Sequence, residues 1–298
     1  MKSLGRVFTA MITPFDERGN LLPEEAANVA DHLIAHGHDG VVVSGTTGES
    51  PALDDDEKCA LFSAVKARLA SRGTVIAGTG DNNTTHSVAF TKRVAALGVD
   101  AVLAVVPAYS KPTQDGMLLH FGAIAEASSV PVVLYNVPSR TGQNLLPATV
   151  HELARRHPNI VGIKESSGDA NQFSILIREN PREDFTVWCG DDYFFLPALA
   201  LGAYGVVSVA GHICGDDLRA MLEAFTGGDV VRAGAIHRRL QPLFSAIFAT
   251  TSPIPVKWAM NELGFAAGPC RSPLGAMPDS LAAELRPLLA PYRSLART

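Results

Sequence analysis

Short runs of β-branched and small apolar residues recur along the chain, and longer segments with helical periodicity separate them. The runs fall at residues 7–13, 40–44, 75–78, 101–106, 132–136, 160–164, 186–189 and 205–209. Most are apolar throughout instead of alternating, which is the pattern of strands buried on both faces. Between them stand helix signals. Pro23-Glu24-Glu25 opens one helix, Asp54-Asp55-Asp56-Glu57 loads a first turn with acid, and Gly37, Gly73 and Gly98 sit where C-caps belong. Eight strand–helix alternations predict an α/β fold, a (β/α)8 TIM barrel, which takes about 250 residues. The barrel is assigned to residues 1–228 and a small C-terminal helical appendage to residues 229–298. A doubly wound open sheet is the alternative, but Gly78-Thr79-Gly80-Asp81-Asn82-Asn83 lacks the third glycine of a dinucleotide fingerprint and no GxxxxGK[ST] occurs.

Charge and composition narrow the partners. The 298 residues carry a net charge of -5 with only 18% charged residues, which offers no basic surface for nucleic acid or an anionic membrane. A small-molecule substrate is expected. Residues 193–215 contain no charge, yet Pro197, Gly202, Gly205 and Gly211 cut the stretch into a helical piece and a strand, so no membrane span is expected. Cys59, Cys189, Cys214 and Cys270 are scattered, with no CxxC pair and no secretory leader, and this fits a reducing, cytoplasmic setting.

In a barrel the loops after the strands build the site. After the second strand comes Ser44-Gly45-Thr46-Thr47-Gly48-Glu49-Ser50, where glycines frame two hydroxyls and free N–H groups suit a carboxylate or phosphate. Tyr109 follows the fourth strand and Tyr135 ends the fifth, with Arg140 just beyond. Lys164 is the most informative of the seven lysines, because it closes an apolar strand. A buried ammonium costs several kcal/mol unless paired or neutralised. Desolvation frees such an amine as a nucleophile for a carbonyl, giving a Schiff base; a structural ion pair with Glu49, Glu165 or Asp191 is the competing reading. Lys257, after two prolines, reads as a solvated or subunit-contact lysine at the start of an appendage helix. His32 and His36 have metal-ligand spacing but read as a solvated helix end, and Ser63-Ala64-Val65-Lys66 lies mid-helix without the partner motifs of the penicillin-recognising enzymes.

Thr46-Thr47-Gly48-Glu49, residues 135–142 and Gly162-Ile163-Lys164-Glu165-Ser166-Ser167-Gly168-Asp169 together resemble the dihydrodipicolinate synthase / N-acetylneuraminate lyase family of pyruvate-dependent class I lyases. The resemblance runs from Thr13-Pro14-Phe15 to Arg271-Ser272-Pro273-Leu274. It implies that Lys164 forms an imine with pyruvate, that Tyr135 is general acid and base, and that Thr46 and Tyr109 complete a proton relay, Tyr109 from a neighbouring subunit. It further implies that Thr47 holds the pyruvate carboxylate, that Gly190 and Val207 line the pocket, that no metal or organic cofactor is required, and that the assembly is a homotetramer. Arg140 favours the branch whose second substrate is aspartate semialdehyde, since a guanidinium fork suits a carboxylate. A 2-keto-3-deoxy sugar-acid aldolase or dehydratase remains the alternative, and a non-catalytic keto-acid binder would not need the full set of residues. At the interface where lysine-inhibited relatives bind the amino acid, Asn82 and Ser50 persist, but Asp55, His86 and Ala108 depart from the pattern. Weak or absent inhibition by lysine is therefore expected.

Overall fold

Eight strands, almost wholly buried, form the centre of the protein, whose computed structural model describes residues 3–295. They are β1 (Val7–Ala10), β2 (Gly40–Val43), β3 (Thr74–Gly78), β4 (Ala101–Val105), β5 (Val132–Asn136), β6 (Ile160–Glu165), β7 (Thr186–Cys189) and β8 (Gly205–Ser208). All neighbours pair in parallel and in chain order, and β8 returns to β1, so the sheet closes as the barrel expected from the sequence. The interior is filled by a separate apolar cluster that includes Phe8, Val42, Ile76, Leu103, Trp188 and Val207. A second, larger cluster lies between strands and helices. This division explains the unbroken apolar runs, because successive side chains point to opposite faces and here both faces are covered.

The helices are α1 (Pro23–Ala35), α2 (Asp55–Leu69), α3 (Thr84–Ala95), α4 (Gln114–Ala127), α5 (Pro138–Thr141), α6 (Pro147–Arg156), α7 (Ala170–Arg178), α8 (Phe195–Ala200), α9 (Gly211–Thr226), α10 (Val230–Ile247), α11 (Ile254–Glu262) and α12 (Asp279–Leu285). The acidic run before α2 forms a capping box: Asp54 Oδ1 accepts from Glu57 N at 2.8 Å and Glu57 Oε2 accepts from Asp54 N at 3.1 Å. Gly37 and Gly98 take positive φ values of 82° and 78° just past α1 and α3. Gly73 does not cap a helix. Helix α2 ends at Leu69, with Ala70 at φ 51°, and Gly73 instead packs on α1, where a Cβ would come within 2.5 Å of Ile34 Cδ1 and push that side-chain end aside. The uncharged stretch at residues 193–215 divides into α8, β8 and the start of α9. Among the described residues no helix is long and apolar enough to cross a membrane.

Four strands end earlier than their apolar runs, β2, β4 and β8 by one residue and β1 by three, and side chains from other elements end two of them. β1 stops at Ala10 because Ile12 N donates to His212 Nε2 at 3.1 Å, turning the chain from the ladder onto α9. β8 stops at Ser208 because the N–H groups of Val209 and Ala210 donate to Asp192 Oδ2 at 3.0 and 2.9 Å. Helices α10 to α12 carry Leu240, Phe244, Met260 and Leu285 into the outer cluster that also holds the barrel helices.

Buried histidines tie these layers together in neutral form. His212 accepts from Ile12 and donates from Nδ1 to Val209 O at 2.8 Å; His38 accepts from Thr9 Oγ1 and faces Leu33 O with Nδ1, both at 2.8 Å. Burial depresses His38 to about 4 and His212 to about 3. The unfolded chain takes up these protons near pH 6.5, so the stability they provide is full above that pH and is lost as pH falls toward 4. Between pH 6.5 and 4.5 the pair should cost about 4 kcal/mol, read from urea midpoints. A midpoint flat over that window would contradict this assignment. His36, by contrast, is at an exposed helix end, where its Nδ1 meets Asp216 Oδ2 at 2.8 Å. Lys66 of the SxxK match donates to Asp100 Oδ2 at 2.7 Å.

Candidate active site

Strand register brings Tyr135 and Lys164 together. In the β5–β6 ladder Tyr135 stands opposite Lys164, and in β6–β7 Lys164 stands opposite Trp188. Tyr135 and Trp188 belong to the interior cluster, so Lys164 points into the barrel and its neighbour Glu165 points outward to the helices. Lys164 is only 4% exposed, and its Nζ lies 4.2 Å from the centroid of the Tyr135 ring. Among the described residues this ammonium makes no hydrogen bond and no salt bridge.

The three carboxylates that might have paired with it are otherwise placed. Glu49 is bonded to Lys257 Nζ at 2.7 Å. Glu165 accepts from Asn136 Nδ2 at 3.0 Å, Gln172 Nε2 at 2.9 Å and Ser167 N at 2.7 Å, a set of neutral donors behind the strand, and burial raises its pKa. Asp191 is lifted by burial to about 6, partly opposed by the field of Lys164, and forms no salt bridge with it. Asp192, fully buried, is raised by burial although Ser208, Ala210 and Val209 donate to it. Lys164 therefore stands among partly desolvated acids without being neutralised by one of them. That is the arrangement of an amine available for chemistry and not of a structural ion pair.

Gly190 explains how the chain passes this close. A Cβ there would lie 1.8 Å from Ser166 Oγ and 2.8 Å from Lys164 Cε, so only glycine fits beside the amine. Ser166 Oγ is buried with no partner among the described residues, a polar atom next to the lysine that the sequence did not single out.

Above Tyr135 opens a cavity of about 550 Å3, lined by Thr46, Tyr135 and Arg140, with Ser44, Asn82, His86 and Ala108 further round its wall. Thr46 and Thr47 occupy a turn bracketed by Ser44 and Glu49, both left-handed at φ 55° and 56°. Gly45 O accepts from Gly48 N and Ser50 N, and Thr46 O accepts from Glu49 N, while the N–H groups of Thr46 and Thr47 donate to nothing among the described residues. Two adjacent free N–H groups form a small anion cradle. Arg140, exposed on the short helix α5, contributes to the cavity wall. Thr47 is buried beside Thr46, and Val207 is in the interior cluster with Tyr135.

Tyr109 is not brought to this cavity within one chain; it stands 95% exposed at a left-handed φ of 66°. Lys257 is not a solvated lysine. It is 1% exposed and paired with Glu49, a contact between residues 208 positions apart that no local pattern reveals.

The Dihydrodipicolinate synthetase family profile matches residues 3–290. A 4-hydroxy-tetrahydrodipicolinate synthase of Moorella thermoacetica is 50% identical over 270 residues, covering 91% of this chain and 92% of its own length. One from Dehalococcoides mccartyi is 49% identical over 292 residues, 98% of each chain. Among solved structures, dihydrodipicolinate synthase of Bacillus anthracis superposes with a TM-score of 0.94 at 42% identity, covering 97% of this chain and 98% of that one. The enzyme of Cyanidioschyzon merolae with lysine bound gives the same score and identity over 98% and 99%. With a strand-end lysine beneath a tyrosine, a Thr-Thr turn at the cavity wall and a family match along nearly its whole length, the chain belongs to the dihydrodipicolinate synthetase family.

Proposed function

We propose that the chain is a Schiff-base lyase that condenses pyruvate with L-aspartate-4-semialdehyde, the activity of a 4-hydroxy-tetrahydrodipicolinate synthase, in cytoplasmic lysine and diaminopimelate biosynthesis. The observation that carries this reading is the Lys164 amine, buried and unpaired among the described residues, 4.2 Å from the Tyr135 ring.

The neutral amine of Lys164 adds to the ketone of pyruvate, and the carbinolamine hydroxyl, given a proton by the Tyr135 phenol, leaves as water and a protonated imine remains. The iminium withdraws electrons from the adjacent methyl group, so a proton can leave; the resulting enamine carbon attacks the aldehyde, whose oxygen takes up a proton, and the semialdehyde's own amino group then adds to the imine carbon and displaces Lys164 as the free amine. Tyr135 is suited to move protons in both steps, since its ring stands against the lysine and the residue also lines the cavity. The free N–H groups of Thr46 and Thr47 fit the pyruvate carboxylate, and the Thr46 hydroxyl extends the proton route outward. Tyr109, almost fully exposed, supplies the outer end of that route to a neighbouring subunit in a homotetramer. Arg140 receives the carboxylate of the second substrate. No step needs a metal or an organic cofactor.

The discriminating assay supplies pyruvate with aspartate semialdehyde, and in parallel a panel of 2-keto-3-deoxy sugar acids. Turnover confined to the first pair is expected; turnover of the sugar acids alone would overturn the reading. The same assay tests regulation. His86 Nε2 meets Asp55 Oδ2 at 2.9 Å and its Nδ1 meets Asp81 Oδ2 at 2.8 Å, so both carboxylates on this wall of the cavity are already engaged and neither is free for a lysine ammonium. Millimolar lysine should leave the rate close to its uninhibited value, and strong inhibition would contradict this.

A further inference from the structure

We infer that Glu49 and Lys257 are positioning residues for the keto-acid carboxylate: their buried ion pair fastens the C-terminal segment to the Thr46–Thr47 turn and so aims its two free N–H groups. The inference rests on the pyruvate-imine reading above. Neither side chain touches the cavity's reacting atoms, and neither is needed by the mechanism as written.

Both side chains are 1% exposed. A buried ion pair is poor value for stability alone, because desolvation offsets most of the attraction and apolar residues of similar volume serve as well. What such a pair does fix is geometry. Both carboxylate oxygens of Glu49 are engaged: Oε1 accepts from Lys257 Nζ at 2.7 Å and Oε2 from Arg271 N at 2.8 Å. Lys257 Nζ and the Arg271 guanidinium each lie 4.2 Å from the centroid of the Phe15 ring. The guanidinium is itself held by Glu57, Gly19 O and Ala52 O. The pair, with Arg271 and Phe15, therefore joins the first loop of the barrel, the turn after β2, α11 and the segment that follows α11.

The consequence for the turn follows from peptide planarity. In a trans peptide the carbonyl oxygen and the next N–H point in opposite directions. Glu49 N donates to Thr46 O at 3.1 Å, so the placement of Glu49 fixes the plane that carries Thr47 N–H and turns that N–H away. Gly45 O is held by Gly48 N at 3.1 Å and Ser50 N at 3.3 Å, which does the same for Thr46 N–H. Glu49 adopts this position at φ 56°, an unfavourable conformation for a residue with a side chain, and its carboxylate is the group that anchors it there.

The test uses Glu49→Asp, which keeps the charge but withdraws the carboxylate by one methylene, and Lys257→Met, which keeps the stem and removes the charge. The readouts are the pyruvate concentration for half-maximal borohydride trapping on Lys164, the KM and kcat for pyruvate, and the thermal midpoint. Positioning predicts that half-saturation rises about ten-fold or more in Glu49→Asp while kcat changes less. Folded variants with a lowered midpoint but an unchanged pyruvate requirement would show a merely structural pair and overturn the inference. A readout on the unaltered protein covers variants that fail to fold: pyruvate trapping should slow amide exchange in residues 44–52 and in residues 253–271 together. Protection confined to the turn would equally overturn it. If the unaltered protein traps no pyruvate on Lys164, the imine reading fails first; if it traps pyruvate and the pair proves indifferent, only this inference fails.

Discussion

Lys164→Ala should abolish turnover while leaving the barrel folded. The amine is the covalent centre of the proposed chemistry, and losing both the imine and the held geometry of pyruvate removes about 10^4-fold or more in rate. Stability should respond differently from that of most buried charged positions. Lys164 breaks no salt bridge and no hydrogen bond when it goes, among the described residues, and its removal relieves the desolvation of an ammonium inside the barrel. Lys164→Met keeps the packing of the stem but also removes the cation whose field opposes the burial of Asp191 and Asp192, so the two effects offset and the variant should melt close to the parent, as followed by circular dichroism. A Lys164→Met protein that is inactive and clearly less stable would point to a structural role for the lysine. Measurable turnover by Lys164→Ala would remove it from the chemistry.

Tyr135→Phe should lower kcat by about 10^2- to 10^4-fold, the range expected when a positioned general acid–base group is lost. The substitution removes one oxygen and leaves the ring, which packs in the interior cluster and stands against Lys164 Nζ at 4.2 Å. Folding and pyruvate access should survive, and the imine should still form, slowly. Pre-steady-state trapping separates the two roles: a Tyr135→Phe protein whose imine forms at the parent rate but whose condensation is slow would confine the phenol to the second step. Unchanged kcat with raised KM would instead make Tyr135 a binding residue only.

Much of this architecture was legible in the sequence because buried parallel strands have no polar alternation to obscure. Each of the eight apolar runs corresponds to a strand, and Lys164 stood out because it interrupts such a run at the end where barrel loops gather. The limits of β1 and β8 were not legible, since the groups that draw Ile12, Val209 and Ala210 from the ladder are the side chains of His212 and Asp192, which come from other turns of the barrel. Gly73 misled for a similar reason, as its neighbour is Ile34 of another helix and not the end of its own. Lys257 was the largest misreading. Proline-rich surroundings suggested a surface helix start, and its true environment is set by Glu49 and Phe15 from the opposite end of the chain. Ser166, an ordinary serine in sequence, acquires meaning only through its unpartnered oxygen beside Gly190 and Lys164.

The central claim is that Lys164 Nζ carries pyruvate as an imine, and borohydride reduction in the presence of pyruvate tests it most directly. Intact mass should show one reduced pyruvate-derived group per chain, peptide mapping should place it on Lys164, and the Lys164→Ala protein should gain none. No adduct on the parent protein, or an adduct that persists in Lys164→Ala, would contradict the account.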